Sequence, residues 1–105
     1  MSLDVYLVES VPSDVFEANI THNLGMMARE AGVYDALWRP GEDVRAKDIL
    51  PTLKQGLKNL RYNPERYIAF NPPNGWGDYS TLVNFLTKYI RACEDYPNAR
   101  VRVSR

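Results

Sequence analysis

Apolar and polar positions alternate along the first twenty residues of the chain. Leu3, Val5 and Leu7 are separated by Asp4 and Tyr6, and Phe16, Ala18 and Ile20 repeat that period of two beyond Pro12-Ser13-Asp14. This is the pattern of two half-buried strands joined by a turn. A four-residue loop over Val11 to Asp14 would set Leu7 across from Ala18 and Val5 across from Ile20, so that the apolar residues of both strands share one face. On the other face the same register sets Tyr6 across from Asn19.

The period changes after Thr21. Leu24, Met27, Ala28 and Ala31 follow at helical spacing, with Thr21 suited to cap the start and Gly32 to stop the end, which predicts a helix near 22–31. Tyr34 to Trp38 predicts one further helical turn before Arg39-Pro40-Gly41 opens a loop reaching Arg45. Ile49, Leu53, Leu57 and Leu60 mark one face of a longer helix. It must begin only a few residues before Pro51, because only the first turn can spare a backbone N–H. Asn63-Pro64-Glu65 supplies a capping amide, a proline for the first helical position and an acid for the positive end of the helix dipole, predicting a short helix over 64–70. Asn71 to Gly77 carries no regular period. Asp78 is then placed to cap a last helix with Leu82, Phe85, Leu86, Tyr89 and Cys93 on one side, ended by Pro97. Arg100 to Ser104 alternates again and is expected to join the N-terminal strands. The expected fold class is α+β: a small, mainly antiparallel sheet, made of the N-terminal hairpin and the C-terminal strand, packed against about four helices.

Composition narrows the picture. With 105 residues, 13 Lys+Arg against 13 Asp+Glu and 45% hydrophobic residues, the chain reads as one domain over 1–105 with enough apolar mass for a core. A formal net charge of zero argues against a general nucleic-acid binder, which needs a basic field to gather phosphates. No run approaches the length of a membrane span, and Met1-Ser2-Leu3-Asp4 lacks a basic patch leading into an apolar stretch, so a cytoplasmic protein with no membrane partner is expected. Cys93 is the only cysteine and His22 the only histidine, which excludes an intramolecular disulfide and leaves no expectation of a metal or another cofactor. Homo-oligomerisation is not inferable from these features.

Four segments, Asn19-Ile20-Thr21-His22-Asn23-Leu24, Ala36-Leu37-Trp38-Arg39-Pro40, Asn74-Gly75-Trp76-Gly77 and Val103-Ser104-Arg105, together resemble a family of small uncharacterised proteins of bacterial and phage genomes. The resemblance spans essentially the whole chain and implies a single domain. It brings no activity to these residues.

Candidate chemistry is concentrated in the irregular segments. Glycines flank Trp76, so backbone can approach a ligand there, the following helix start offers free N–H groups, and the indole offers a stacking plate. The alternative is that Trp76 plugs the core and the glycines only shape the turn. Trp38 is open to the same two readings, and Arg39 beside it suits a phosphate or carboxylate. Asp35 and Arg39, four apart, suit a local ion pair. His22 either pins the strand-to-helix corner by a hydrogen bond or faces ligand with Asn19 and Asn23. Lys54, Lys58 and Arg61 line one helix edge, and Arg100, Arg102 and Arg105 the C-terminal strand; each set is a solvated face or a phosphate-contacting strip. Cys93 falls among core positions, and no serine stands in a nucleophile elbow.

The leading expectation is therefore a non-catalytic binding module for a small polar or anionic, nucleotide-like ligand, with Asn19, His22, Asn23, Trp38, Arg39, Asn74 and Trp76 converging on it. Sequestering a signalling nucleotide is one way such a module could work. Two alternatives stand beside it: a protein partner met by an exposed Trp and Tyr patch, or a small hydrolase or transferase using His22 as general base.

Overall fold

A computed structural model describes residues 1–10 and 13–105, and the account that follows is of those residues. Strands β1 (Ser2–Ser10), β2 (Ser13–Thr21) and β3 (Arg100–Ser104) form one antiparallel sheet in the order β2-β1-β3. Five α-helices lie between the hairpin and β3: α1 (Gly25–Ala31), α2 (Tyr34–Trp38), α3 (Ala46–Tyr62), α4 (Pro64–Ile68) and α5 (Tyr79–Asp95). The architecture is α+β, with the C-terminal strand completing the sheet. Among the described residues no helix is long and apolar enough to cross a membrane.

The sheet divides its residues as the alternation requires. Leu3, Val5, Leu7, Ile20 and Val101 are buried against the helices, whereas Glu17, Asn19, Arg100 and Arg102 face outward. The hairpin register, however, differs from the expected one by two residues. Leu7 lies opposite Phe16, Val5 opposite Ala18 and Leu3 opposite Ile20, and Tyr6 faces Glu17 while Asn19 faces Asp4. A slip of two keeps every side chain on its own face, so hydrophobic alternation cannot tell the two registers apart. Packing selects between them. In the observed register Phe16 stacks on Tyr89 of α5, ring centroids 5.7 Å apart and planes 7° from parallel. Between the Leu7–Phe16 and Val8–Asp14 pairs the ladder breaks at Val15, an extra residue on β2 of the kind that makes a bulge. Ser13 and Asp14, expected in the loop, belong to β2; Val11 and Pro12 lie outside the described residues.

Local chemistry sets most helix ends. Thr21 accepts a hydrogen bond from the Asn23 N–H at 3.2 Å and starts a single 3-10 turn over His22–Leu24, which passes directly into α1. The expected first helix is thus a 3-10 turn followed by an α-helix, and Gly32, at φ 85°, closes it. Asp78 accepts from the Thr81 N–H at 3.0 Å and caps α5. Asn63 precedes Pro64 as expected, but its side chain makes no capping bond. Helix α4 ends at Ile68 rather than at residue 70, because Phe70 and Asn71 donate to the carbonyls three residues back and tighten the chain out of the α-helix. Pro51 stands at the sixth position of α3, beyond the first-turn N–H groups, so the Lys47 carbonyl forgoes one helical bond.

Helices α3 and α5 pack together and carry the centre of the core: Leu53, Leu60, Leu82, Leu86, Tyr89 and Cys93 are fully buried. Gly56 is buried where α3 crosses the segment after α1; a Cβ there would lie 2.1 Å from the Val33 Cγ1. The Asn59 amide donates to the Ala31 carbonyl at 3.2 Å across the same contact.

Candidate functional site

The seven side chains expected to converge do not form one site. Six of them divide between two separate concavities. Asn19, Asn23, Asn74 and Trp76 line a hollow of about 500 Å³ beside Ser2 and Thr21. Trp38 and Arg39 belong to a larger cleft of about 770 Å³. His22 lines neither.

The hollow is built by two irregular segments that dock on each other. Asn74 accepts a hydrogen bond from the Trp76 N–H at 3.0 Å, and Asn71 accepts from the Tyr79 N–H at 2.9 Å, so amide side chains brace the turn from within. Gly77, at φ 89°, lies so close to the corner that a Cβ would meet the Thr21 Cγ2 at 2.8 Å and the Leu24 Cδ1 at 3.1 Å. Glycine thereby seats the loop against Thr21 and Leu24. The outcome is an indole held at 69% exposure over the hollow. The core-plug reading does not describe Trp76.

Across from the indole, the Asn19 amide donates to the Asp4 Oδ1 at 2.6 Å and to the Ser2 Oγ at 2.8 Å, which orients its carbonyl and leaves that oxygen free to accept. Asn23 is exposed, and its side-chain amide has no hydrogen-bond partner among the described residues. The hollow therefore offers an aromatic face, a free carboxamide and an acceptor oxygen within one concavity.

Trp38 serves packing. It is 3% exposed, with Tyr34 stacked on its ring at 4.9 Å and the His22 imidazole against it at 6.0 Å in an edge arrangement. The His22 Nε2 is buried without a hydrogen-bond partner among the described residues, while the His22 backbone N–H donates to the Met1 carbonyl. That nitrogen is therefore closed to a reacting group, although the ring as a whole is half-buried. The corner-pinning bond assigned to His22 is made by its backbone, not by its side chain.

Arg39 is exposed at the mouth of the larger cleft. Its expected ion pair with Asp35 is not formed; only the Arg39 backbone N–H donates to the Asp35 carbonyl. The cleft is also lined by Arg100 and Arg102 of β3 and by Arg105 just beyond it. Arg100 pairs with Asp43 at 3.6 Å, and Arg102 pairs with Asp14 at 3.3 Å while its guanidinium lies 4.3 Å above the Tyr6 ring. Arg39 and Arg105 have no acidic partner within 4.0 Å among the described residues. The sequence showed these arginines as separate clusters, and no local signal joined Arg39 to the C-terminal strand.

Lys54, Lys58 and Arg61 of α3 line an open concavity of about 420 Å³ with Leu57, Tyr62 and Ile90, in which Lys54 bridges to Glu94 of α5 at 3.0 Å and Arg61 reaches the Thr87 hydroxyl. Cys93 is fully buried, and burial raises its thiol from 9.0 to about 12. Among the described residues no three His, Cys, Asp or Glu side chains stand together as a metal-ligand group. Comparison with known protein families, with curated proteins and with solved structures gives no match.

Proposed function

We propose that the chain is a non-catalytic binding module for a small polar ligand bearing a flat, hydrogen-bonding ring of the kind a nucleobase presents, taken up in the hollow of Asn19, Asn23, Asn74 and Trp76. The observation that carries this reading is Trp76. A tryptophan left 69% exposed is unusual for so large an apolar side chain, and here three backbone features hold it in place: the Asn74 brace, the Asn71 brace and the Gly77 contact. With the backbone beneath the indole braced, less ordering is needed when a ring stacks on it, and its neighbours supply one acceptor and one carboxamide for edge-on recognition. The volume of about 500 Å³ suits a small molecule, since ligand sites run from about 300 to 1,000 Å³. Because the arginines lie in the other cleft, this hollow reads shape and hydrogen bonding rather than charge. A chain that holds such a ligand without converting it withdraws it from solution.

Titration with a panel of nucleosides and nucleotides tests the proposal through indole fluorescence and thermal shift. At least one compound is expected to quench the emission and raise Tm. Trp76→Ala should remove the quenching and weaken binding by about tenfold, since stacking of a base on an aromatic ring is worth about 1–3 kcal/mol. Trp38, buried, should contribute emission that the ligand leaves unchanged. A panel without effect, or quenching that persists in Trp76→Ala, defeats the reading.

A further inference from the structure

The arginine cleft contains a second feature besides its charge: an unfinished sheet edge. On its outer side β3 is paired only at its beginning, where Val101 donates to the Val44 carbonyl at 2.9 Å and Ala46 donates to the Ala99 carbonyl at 2.8 Å. The chain then turns away. Asp43 adopts φ 56° and Gly41 φ 95°, so residues 41–43 leave the edge and form the far wall of the cleft. In an antiparallel strand, alternate residues direct both backbone groups to the same side, and Val101 already points outward. Val103 therefore presents its N–H and C=O to the cleft, as does the N–H of Arg105.

An exposed edge of this kind recruits an extended chain, and the flanking side chains decide which. A second copy of β3 would bring arginines against arginines, an unfavourable cross-strand arrangement. A partner strand with carboxylates would meet Arg39 and Arg105, neither of which has an acidic partner among the described residues, while Glu42 is the one lining carboxylate there without an ion pair, so the arginines stay in excess. The Arg100 and Arg102 ion pairs are exposed and long, so they cost little to exchange. Half-buried Val44, Val103 and Pro40 give the cleft an apolar floor for alternate side chains.

We infer that this cleft binds a short, extended, acidic peptide segment, which adds to the free edge of β3 and lays its carboxylates against Arg39 and Arg105. The backbone of Val103 supplies the pairing and the arginines supply the selection. The site is separate from the Trp76 hollow, so it stands whether or not that hollow takes a ring.

The test uses the full chain and a blocked pentapeptide, acetyl-Val-Glu-Val-Glu-Val-amide, followed by calorimetry and by amide NMR. Saturable binding is expected, with the Val103 amide among the resonances that shift most. Methylating the peptide nitrogens that face β3 keeps every charge and removes the pairing, and should weaken binding by about tenfold or more. Arg39→Ala combined with Arg105→Ala should weaken it by a similar factor with Tm unchanged, since both side chains are exposed. The lysine counterpart of the peptide should not bind. Absence of binding by the glutamate peptide overturns the inference. So does equal binding of the methylated peptide, or inorganic phosphate reproducing the same shifts at the same affinity, because either result reduces the cleft to a site for anions.

Discussion

Among the described residues Tyr89 carries the largest fully buried side chain, and its hydroxyl has no hydrogen-bond partner there. A buried hydroxyl left unpaired costs about 1–3 kcal/mol, whereas its ring is well placed between Phe16 and Phe85. Tyr89→Phe keeps both ring contacts and removes the stranded group. It is expected to stabilise the fold by about 1 kcal/mol, read as a higher urea midpoint with an unchanged slope. A loss of stability would mean that the hydroxyl is satisfied by an internal water. The same logic sets Trp38 and Trp76 apart: both are tryptophans beside a loop, yet neighbours cover one ring and leave the other open.

Between elements, the closest approach made at a glycine among the described residues is at Gly56. Helix α3 approaches the connection after α1 so closely that the Val33 side chain occupies the space of a Cβ. Gly56→Ala should destabilise by about 1–3 kcal/mol, the usual cost of overpacking, despite the better helix propensity of alanine. Adding Val33→Ala opens room and should recover part of that loss. A double-mutant cycle with no coupling would show that the helix shifts instead. At the loop before α5, the equivalent device is Gly77, whose close approach to Thr21 is what holds Trp76 over the hollow.

For the whole molecule, the core defines an alkaline limit. Burial raises the Cys93 thiol from 9.0 to about 12 and raises the Tyr89 hydroxyl above its ordinary 10.0. Both groups keep their protons in the folded chain after the unfolded chain has lost them. Stability is therefore full below about pH 9 and falls as pH climbs from there toward 12. Urea midpoints measured at neutral pH and at stepped pH values above 9 should show this decline. Cys93→Ala, although less stable at neutral pH for want of the buried sulfur, should decline less steeply. A flat profile would place both groups in contact with water.

The sequence by itself determined the elements and the faces they bury. Alternation placed Leu3, Val5 and Leu7 inward, helical spacing placed Leu53, Leu57, Leu82 and Leu86 together, and Thr21, Gly32 and Asp78 marked ends by chemistry confined to one turn. These are local signals, because period and capping depend on residues within a few positions of one another. Tertiary structure decided the rest. It chose the hairpin register, which alternation leaves open by steps of two, through the stacking of Phe16 on a helix about seventy residues away. It also divided the expected site. Asn19, Asn23, Asn74 and Trp76 meet because Gly77 lets one loop rest on Thr21, while Arg39 joins Arg105 only because β3 returns beside the loop after α2. Residue type marked each of these side chains as able to bind, but which of them share a concavity depends on contacts between distant segments, and no spacing along the chain records those.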